Sequence, residues 1–168
     1  MLAQKLEEMG REVMQAVPFL NQGGCCVYAA LVGGALQRKG YRVTGRSLAG
    51  WDSGKNELDE TRAEIGAIRR IHHIRDVEEY GLSLMHVVLQ LDLGTEQIMF
   101  DAKLQVPAGR HFQWSENYSL VVQQGELSVA ELSALAGARG WNRQFNRRQI
   151  PKMARIIQHH MRGVPRAG

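Results

Sequence analysis

Two short segments, MHVVLQLD (85–92) and QIMFDAKLQ (97–105), alternate apolar and polar residues across the tetrapeptide LGTE. Alternation with period two puts successive side chains on opposite strand faces, and a short glycine-containing connection joins antiparallel neighbours. The pair reads as a β-hairpin, which commits the chain to an antiparallel sheet. In the first strand His86, Val88 and Gln90 share one face, and in the second Met99 and Asp101 share a face. A four-residue loop sets Val88 opposite Asp101 with His86 diagonal to it. A two-residue loop at Leu93 and Gly94 sets His86 directly opposite. Either register brings an imidazole and a carboxylate to one side of the sheet.

Helices are expected on both sides of this hairpin in sequence. Leu2, Leu6, Met9, Val13, Met14 and Val17 recur at three- and four-residue steps until Pro18 closes the pattern. Residues 25–39 form a second candidate helix, with Gly40 as its left-handed stop. Residues 41–48 read as a strand, GWDSGKN (50–56) as a loop containing Trp51, 58–75 as a polar helix, and 118–123 as a strand. Ser128 and Glu131 make a capping box for a helix over 129–138, and Pro151 sits in the first turn of a last helix. This order gives an α+β fold. At 168 residues it is expected to be a single domain, with a basic helical C-terminal part from about residue 127.

Hydrophobic residues make up 44% and charged residues 23%, so disordered and collagen-like classes drop out. The N-terminus lacks the pattern of a secretory signal and no stretch is apolar enough to span a bilayer, so a cytoplasmic location with reduced thiols is expected. All 17 acidic residues lie at or before Glu131, whereas eight of the 21 basic ones lie from Arg139 onward. In ARGWNRQFNRRQIPK (138–152) Trp141 and Phe145 alternate with arginines, as in a single-strand nucleic-acid binder. Inward packing of both aromatics with solvated arginines is the favoured reading. The adjacent pairs His72–His73 and His159–His160 diverge by about 100° on a helix, so no metal is expected. No phosphate-binding glycine motif occurs, and no cofactor is expected.

Chemistry concentrates at NQGGCC, residues 21–26, which holds both cysteines of the chain. If Gly23 and Gly24 turn the chain into a helix, Cys25 stands at its N-terminus, where free N–H groups and the macrodipole favour a thiolate. Gly24 is expected to let a substrate carbonyl approach backbone donors that stabilise an oxyanion. His86 is the best-placed base for Cys25, and Asp101 the group to orient it.

With these pieces in order, GGCCVYAALVGGAL (23–36), MHVVLQLD (85–92) and MFDAK (99–103), the chain resembles the transglutaminase-like branch of the papain-like cysteine enzymes. The shared features are a Gly-x-Cys-x-x-aromatic-Ala helix start, a strand His and a strand Asp. The resemblance implies a nucleophile helix packed on an antiparallel sheet, with additional C-terminal helices here. It also implies peptidase, amidase, deamidase or acyl transferase chemistry through a thioester on Cys25, with His86 as base and Asp101 as orienting carboxylate. Asn21 or Gln22 would supply an oxyanion donor, and Cys26 and Trp51 are further candidates for the substrate site. Val87, Val88 and Phe100 stand where the family often has aromatic groove residues. A protein or peptide substrate is expected, without a membrane partner and with oligomeric state open. The alternatives are an inactive binding module of the same fold and a nucleic-acid binder using the basic end.

Overall fold

The structure, a computed structural model, describes residues 1–20, 23–51, 84–103, 105–107, 120–137 and 145–168. Helix α1 (Leu2–Ala16) follows the predicted apolar stripe and buries Leu6, Met9 and Val13. Helix α2 (Cys25–Arg38) buries residues around most of its circumference, from Cys25 to Leu36, as a central helix must. It ends where Gly40 takes a φ of 90°.

Five strands follow: β1 (Val43–Trp51), β2 (Leu84–Asp92), β3 (Gln97–Phe100), β4 (Gln105–Pro107) and β5 (Leu120–Leu127). They form an antiparallel sheet in the order β4-β3-β2-β1-β5. Helix α3 (Val129–Gly137) starts from the predicted capping box, with Ser128 N–H donating to Glu131 Oε2 at 2.7 Å and Glu131 N–H to Ser128 Oγ at 3.2 Å. A 3-10 turn (Arg147–Gln149) leads into α4 (Ile150–Arg162), with Pro151 in its first turn. The molecule is thus α+β with an antiparallel sheet, as its pattern indicates.

Three boundaries differ from the expectation. The 41–48 strand continues through Gly50 and Trp51, so Trp51 ends a strand paired with Leu120 instead of lying in a loop. Pairing to both neighbours holds this glycine-containing stretch extended. The second hairpin strand stops at Phe100; the chain turns over residues 101–103 and resumes as β4. The strand expected at 118–123 runs on to Leu127. The polar helix expected at 58–75 lies outside the described residues.

One face of the sheet, with Val87, Leu89, Leu91, Ile98 and Phe100, joins α1, α2, α3 and α4 in a common core. At one side of that core α1 packs along α4, where Met153, Ile157 and Met161 are buried. Each helix start caps the other's end: Lys152 Nζ donates to Ala16 O at 2.8 Å and Lys5 Nζ to Gly163 O. His160, at the end of the last helix, bonds Glu12 at 2.7 Å. Among the described residues no helix is long and apolar enough to cross a membrane.

Candidate active site

The hairpin adopts the four-residue register. Leu89 pairs with Phe100, Gln90 with Met99, Leu91 with Ile98 and Asp92 with Gln97, after which the ladder stops. Asp101 therefore stands one step beyond the last pair, on the face it shares with His86 and diagonal to it. The imidazole spans that diagonal, and His86 Nε2 lies 2.7 Å from Asp101 Oδ2. The turn after the carboxylate locks it, because Lys103 N–H donates to Asp101 Oδ1 at 2.7 Å.

The departure of the chain at Asp101 has a second effect. It leaves the edge of β2 at residues 84–88 without a β3 partner. The N-terminus of α2 fills this opening, and the Val87 N–H donates to the Cys25 sulfur. Cys25 also hydrogen-bonds His86. With Nε2 committed to Asp101, Nδ1 is the ring nitrogen left to face the thiol. Cys25, His86 and Asp101 are buried, at 8%, 2% and 7% exposure.

Burial alone would keep both Cys25 and His86 neutral. The Cys26 thiol bonded to the Cys25 sulfur is the largest influence on Cys25; with His86 and the Val87 N–H it outweighs burial and holds Cys25 well below its ordinary value of 9.0. For His86 burial is the largest influence, but the hydrogen bonds to Asp101 and Cys25 and their charges together prevail, raising it from 6.5 to about 9. Both shifts favour the thiolate–imidazolium form of the pair. Cys26 moves the other way, its thiol pushed far up by the Cys25 contact and by burial, so it remains a neutral donor.

The two glycines differ at this helix start: Gly23 turns the chain with a φ of 110°. A methyl on Gly24 would meet the Leu20 carbonyl oxygen at 2.7 Å and the Phe145 ring at 2.8 Å. Gly24 is thus a packing requirement that seats α2, and its open side is filled by protein. Phe145 is buried against it, as the inward-packing reading of the basic segment requires, while Arg147 and Arg148 are exposed. Asn21, Gln22 and Trp141 lie outside the described residues. Trp51 is placed by its backbone only, at the end of β1.

One contributor carries no signal readable as function. The Val87 N–H is a backbone group that any residue but proline supplies. Tyr28, one turn after Cys25, is the aromatic of the helix-start pattern. Its hydroxyl is buried. Among the described residues no group of three His, Cys, Asp or Glu side chains converges to hold a metal ion. No protein-family model, curated protein or solved structure matches this chain.

Proposed function

We propose that the chain is a cysteine-dependent enzyme of acyl or amide chemistry, of the transglutaminase-like and papain-like type, working through a Cys25 thioester with His86 and Asp101. The observation that carries this reading is the continuous chain of contacts from the Cys25 sulfur through His86 to Asp101, with Nε2 2.7 Å from the carboxylate. The three residues come from the start of a helix, a strand and the turn after the next strand, so no local packing need explains all three.

In this reading the Cys25 thiolate attacks the carbonyl carbon of an amide, forming a C–S bond and pushing the carbonyl electrons onto oxygen. The first N–H groups of α2 have no acceptor within the helix, and its dipole favours that oxyanion. As the oxyanion collapses the C–N bond breaks, and the His86 Nδ1 proton goes to the departing amine. Neutral His86 then accepts a proton from water or an incoming amine, which attacks the thioester and regenerates the thiolate. Asp101 holds Nε2–H and stabilises the imidazolium. The substrate class supported by the family resemblance is a peptide bond or a glutamine side chain. The chemistry needs a reduced thiol, in keeping with the cytoplasmic location proposed for the chain.

The test is the rate of iodoacetamide labelling at pH about 6, mapped to Cys25 by mass spectrometry, in the native protein and in His86→Ala. Rapid labelling that collapses in the variant is the expected result. Slow labelling in both, with the fold intact by circular dichroism, overturns the enzyme reading in favour of an inactive binding module.

A further inference from the structure

The charge asymmetry of the sequence acquires a place in the fold. Helices α2 and α4 and the C-terminal residues 163–168 contain no Asp or Glu. The two helices meet at their C-terminal ends, and the chain after α4 is fastened there: Lys39 Nζ donates to Val164 O at 2.7 Å and the Ala167 N–H to Lys39 O at 2.8 Å. Arg166 thereby joins Arg38, Lys39 and Arg162 around a cleft of about 390 Å³ that the buried Ala35 and Met161 also line.

A helix dipole accounts for a cation near its C-terminal end, and so for Arg38 on α2 and Arg162 on α4. It does not account for their gathering with Lys39 and Arg166 in one concavity, where like charges repel. Arg38, Arg162 and Arg166 are exposed, and none of them makes an ion pair among the described residues. No acidic side chain is among the described residues that line the cleft. The charge there calls for an anionic partner.

Arg38 also lines a second concavity, a groove of about 810 Å³ between α2 and α3, walled by Val27, Leu31, Val129 and Ile150. Its other cation is Arg147, whose Nη1 donates to Ala136 O at 3.0 Å; Phe145, two residues earlier, packs against Gly24 beside Cys25. On α2 the groove runs from Val27 to Arg38, roughly 16 Å at the helical rise. One helix thus carries Cys25 at its start and this surface along its length. The described apolar lining of both concavities is aliphatic, without the aromatic platforms on which nucleic-acid bases stack. Aliphatic walls beside arginine forks, which match carboxylates in shape and charge, suit a peptide that combines acidic and apolar residues.

We propose that this surface docks an acidic segment of the protein substrate, with carboxylates on Arg38, Arg162 and Arg166 and apolar side chains along the α2–α3 groove. This rests on the reading of the chain as an enzyme acting on proteins or peptides and names the kind of substrate. A segment held there keeps the rest of its chain near Cys25 and raises the local concentration of the amide to be attacked.

The experiment is calorimetric titration of a synthetic peptide of repeated Glu-Leu-Glu units into the native chain and into the double variant Arg162→Ala, Arg166→Ala, with iodoacetamide labelling of Cys25 at pH about 6 followed in the native chain. Binding is expected to weaken with added salt and to fall by about tenfold in the double variant. No binding, or equal binding by both proteins, overturns the proposal. So does tighter, arginine-dependent binding of oligodeoxythymidylate, which would make the occupant a nucleic acid, and so does salt-sensitive self-association that the double variant abolishes, which would make it a second copy. Should the double variant fail to fold, Arg38→Gln takes its place; the same loss is expected and unaltered binding overturns the proposal. Absent docking beside rapid native labelling sinks this inference alone. Slow native labelling beside arginine-dependent docking sinks the triad reading and leaves the surface as the interface of an inactive binding module.

Discussion

Gly10 of α1 and Ala102, the residue after Asp101, approach so closely that a methyl group on Gly10 would strike the Ala102 carbonyl oxygen and come within 3.0 Å of its Cα. The turn that presents Asp101 to His86 is therefore clamped from below by the N-terminal helix. Helix α1, which contributes no residue to the site, sets the position of one.

Gly10→Ala tests this clamp. On an exposed helix the change would stabilise by up to about 1 kcal/mol through propensity. Here the obstacle is backbone and has no rotamer to escape into, so overpacking prevails and a net loss of about 1–3 kcal/mol is expected in urea denaturation. Alkylation of Cys25 at pH about 6 should slow as well, since displacing residues 101–103 stretches the His86–Asp101 bond. A more stable variant with unaltered labelling would show that the contact carries no positional information.

Asp101→Asn separates charge from shape. The amide retains a hydrogen-bonding oxygen for Nε2–H but no longer neutralises an imidazolium buried in low dielectric. His86 should fall from about 9, and the Cys25 thiolate should lose its counter-ion. Labelling is expected to drop about tenfold or more at pH 6 and to approach the native rate above pH 9, where the thiol ionises unaided. Equal rates across the range would remove Asp101 from the site.

The same pair has a signature in folding stability. Raised from 6.5 to about 9, His86 contributes stability that is fully present below 6.5 and lost as pH rises through about 9. Cys25, depressed from 9.0, contributes stability that is present above 9.0 and lost as pH falls through its lowered value. With Cys25 ionised and His86 protonated the folded pair holds one proton, and between 6.5 and 9 the unfolded pair also holds one, on Cys25. The two slopes cancel there. Below 6.5 the unfolded state binds a second proton, so stability should fall with acidity by up to about 1.4 kcal/mol per pH unit until folded Cys25 takes up its own. Denaturation midpoints from pH 9 down to pH 5 check this. A curve that stays level through 6.5 would mean a resting thiol.

Much of this arrangement was legible because it is local. Alternation in 85–92 and 97–105 with a four-residue loop placed His86 and Asp101 on one face, and the Ser128–Glu131 box placed the start of α3. What could not be read depends on residues distant in sequence. The break after Phe100 follows from packing of Ala102 against Gly10, and the seat of α2 from Phe145 against Gly24. Likewise β1 lies between β2 and β5, an order no turn residue encodes. A glycine before a nucleophile admits both substrate approach and close packing, and the packing use becomes visible only through the position of Phe145.

The doublet Cys25–Cys26 bears on which sulfur reacts. Cys26 is 1% exposed and its thiol donates to Cys25, so the two have opposite roles although they are neighbours. Cys26→Ala removes the donor that contributes most to the depressed Cys25 value, and Cys26→Ser replaces it with a hydroxyl. Cys26→Ala is expected to keep the labelled residue at Cys25 but move the midpoint of its pH profile upward, while Cys26→Ser moves it less. Cys25→Ala should abolish low-pH labelling altogether, because burial still pushes the remaining thiol up once the Cys25 contact is gone, and it has no imidazolium beside it. Rapid labelling of Cys26 in that variant would show that helix position, and not the His86 contact, selects the nucleophile; its absence ties reactivity to the one sulfur that Val87 and His86 hold.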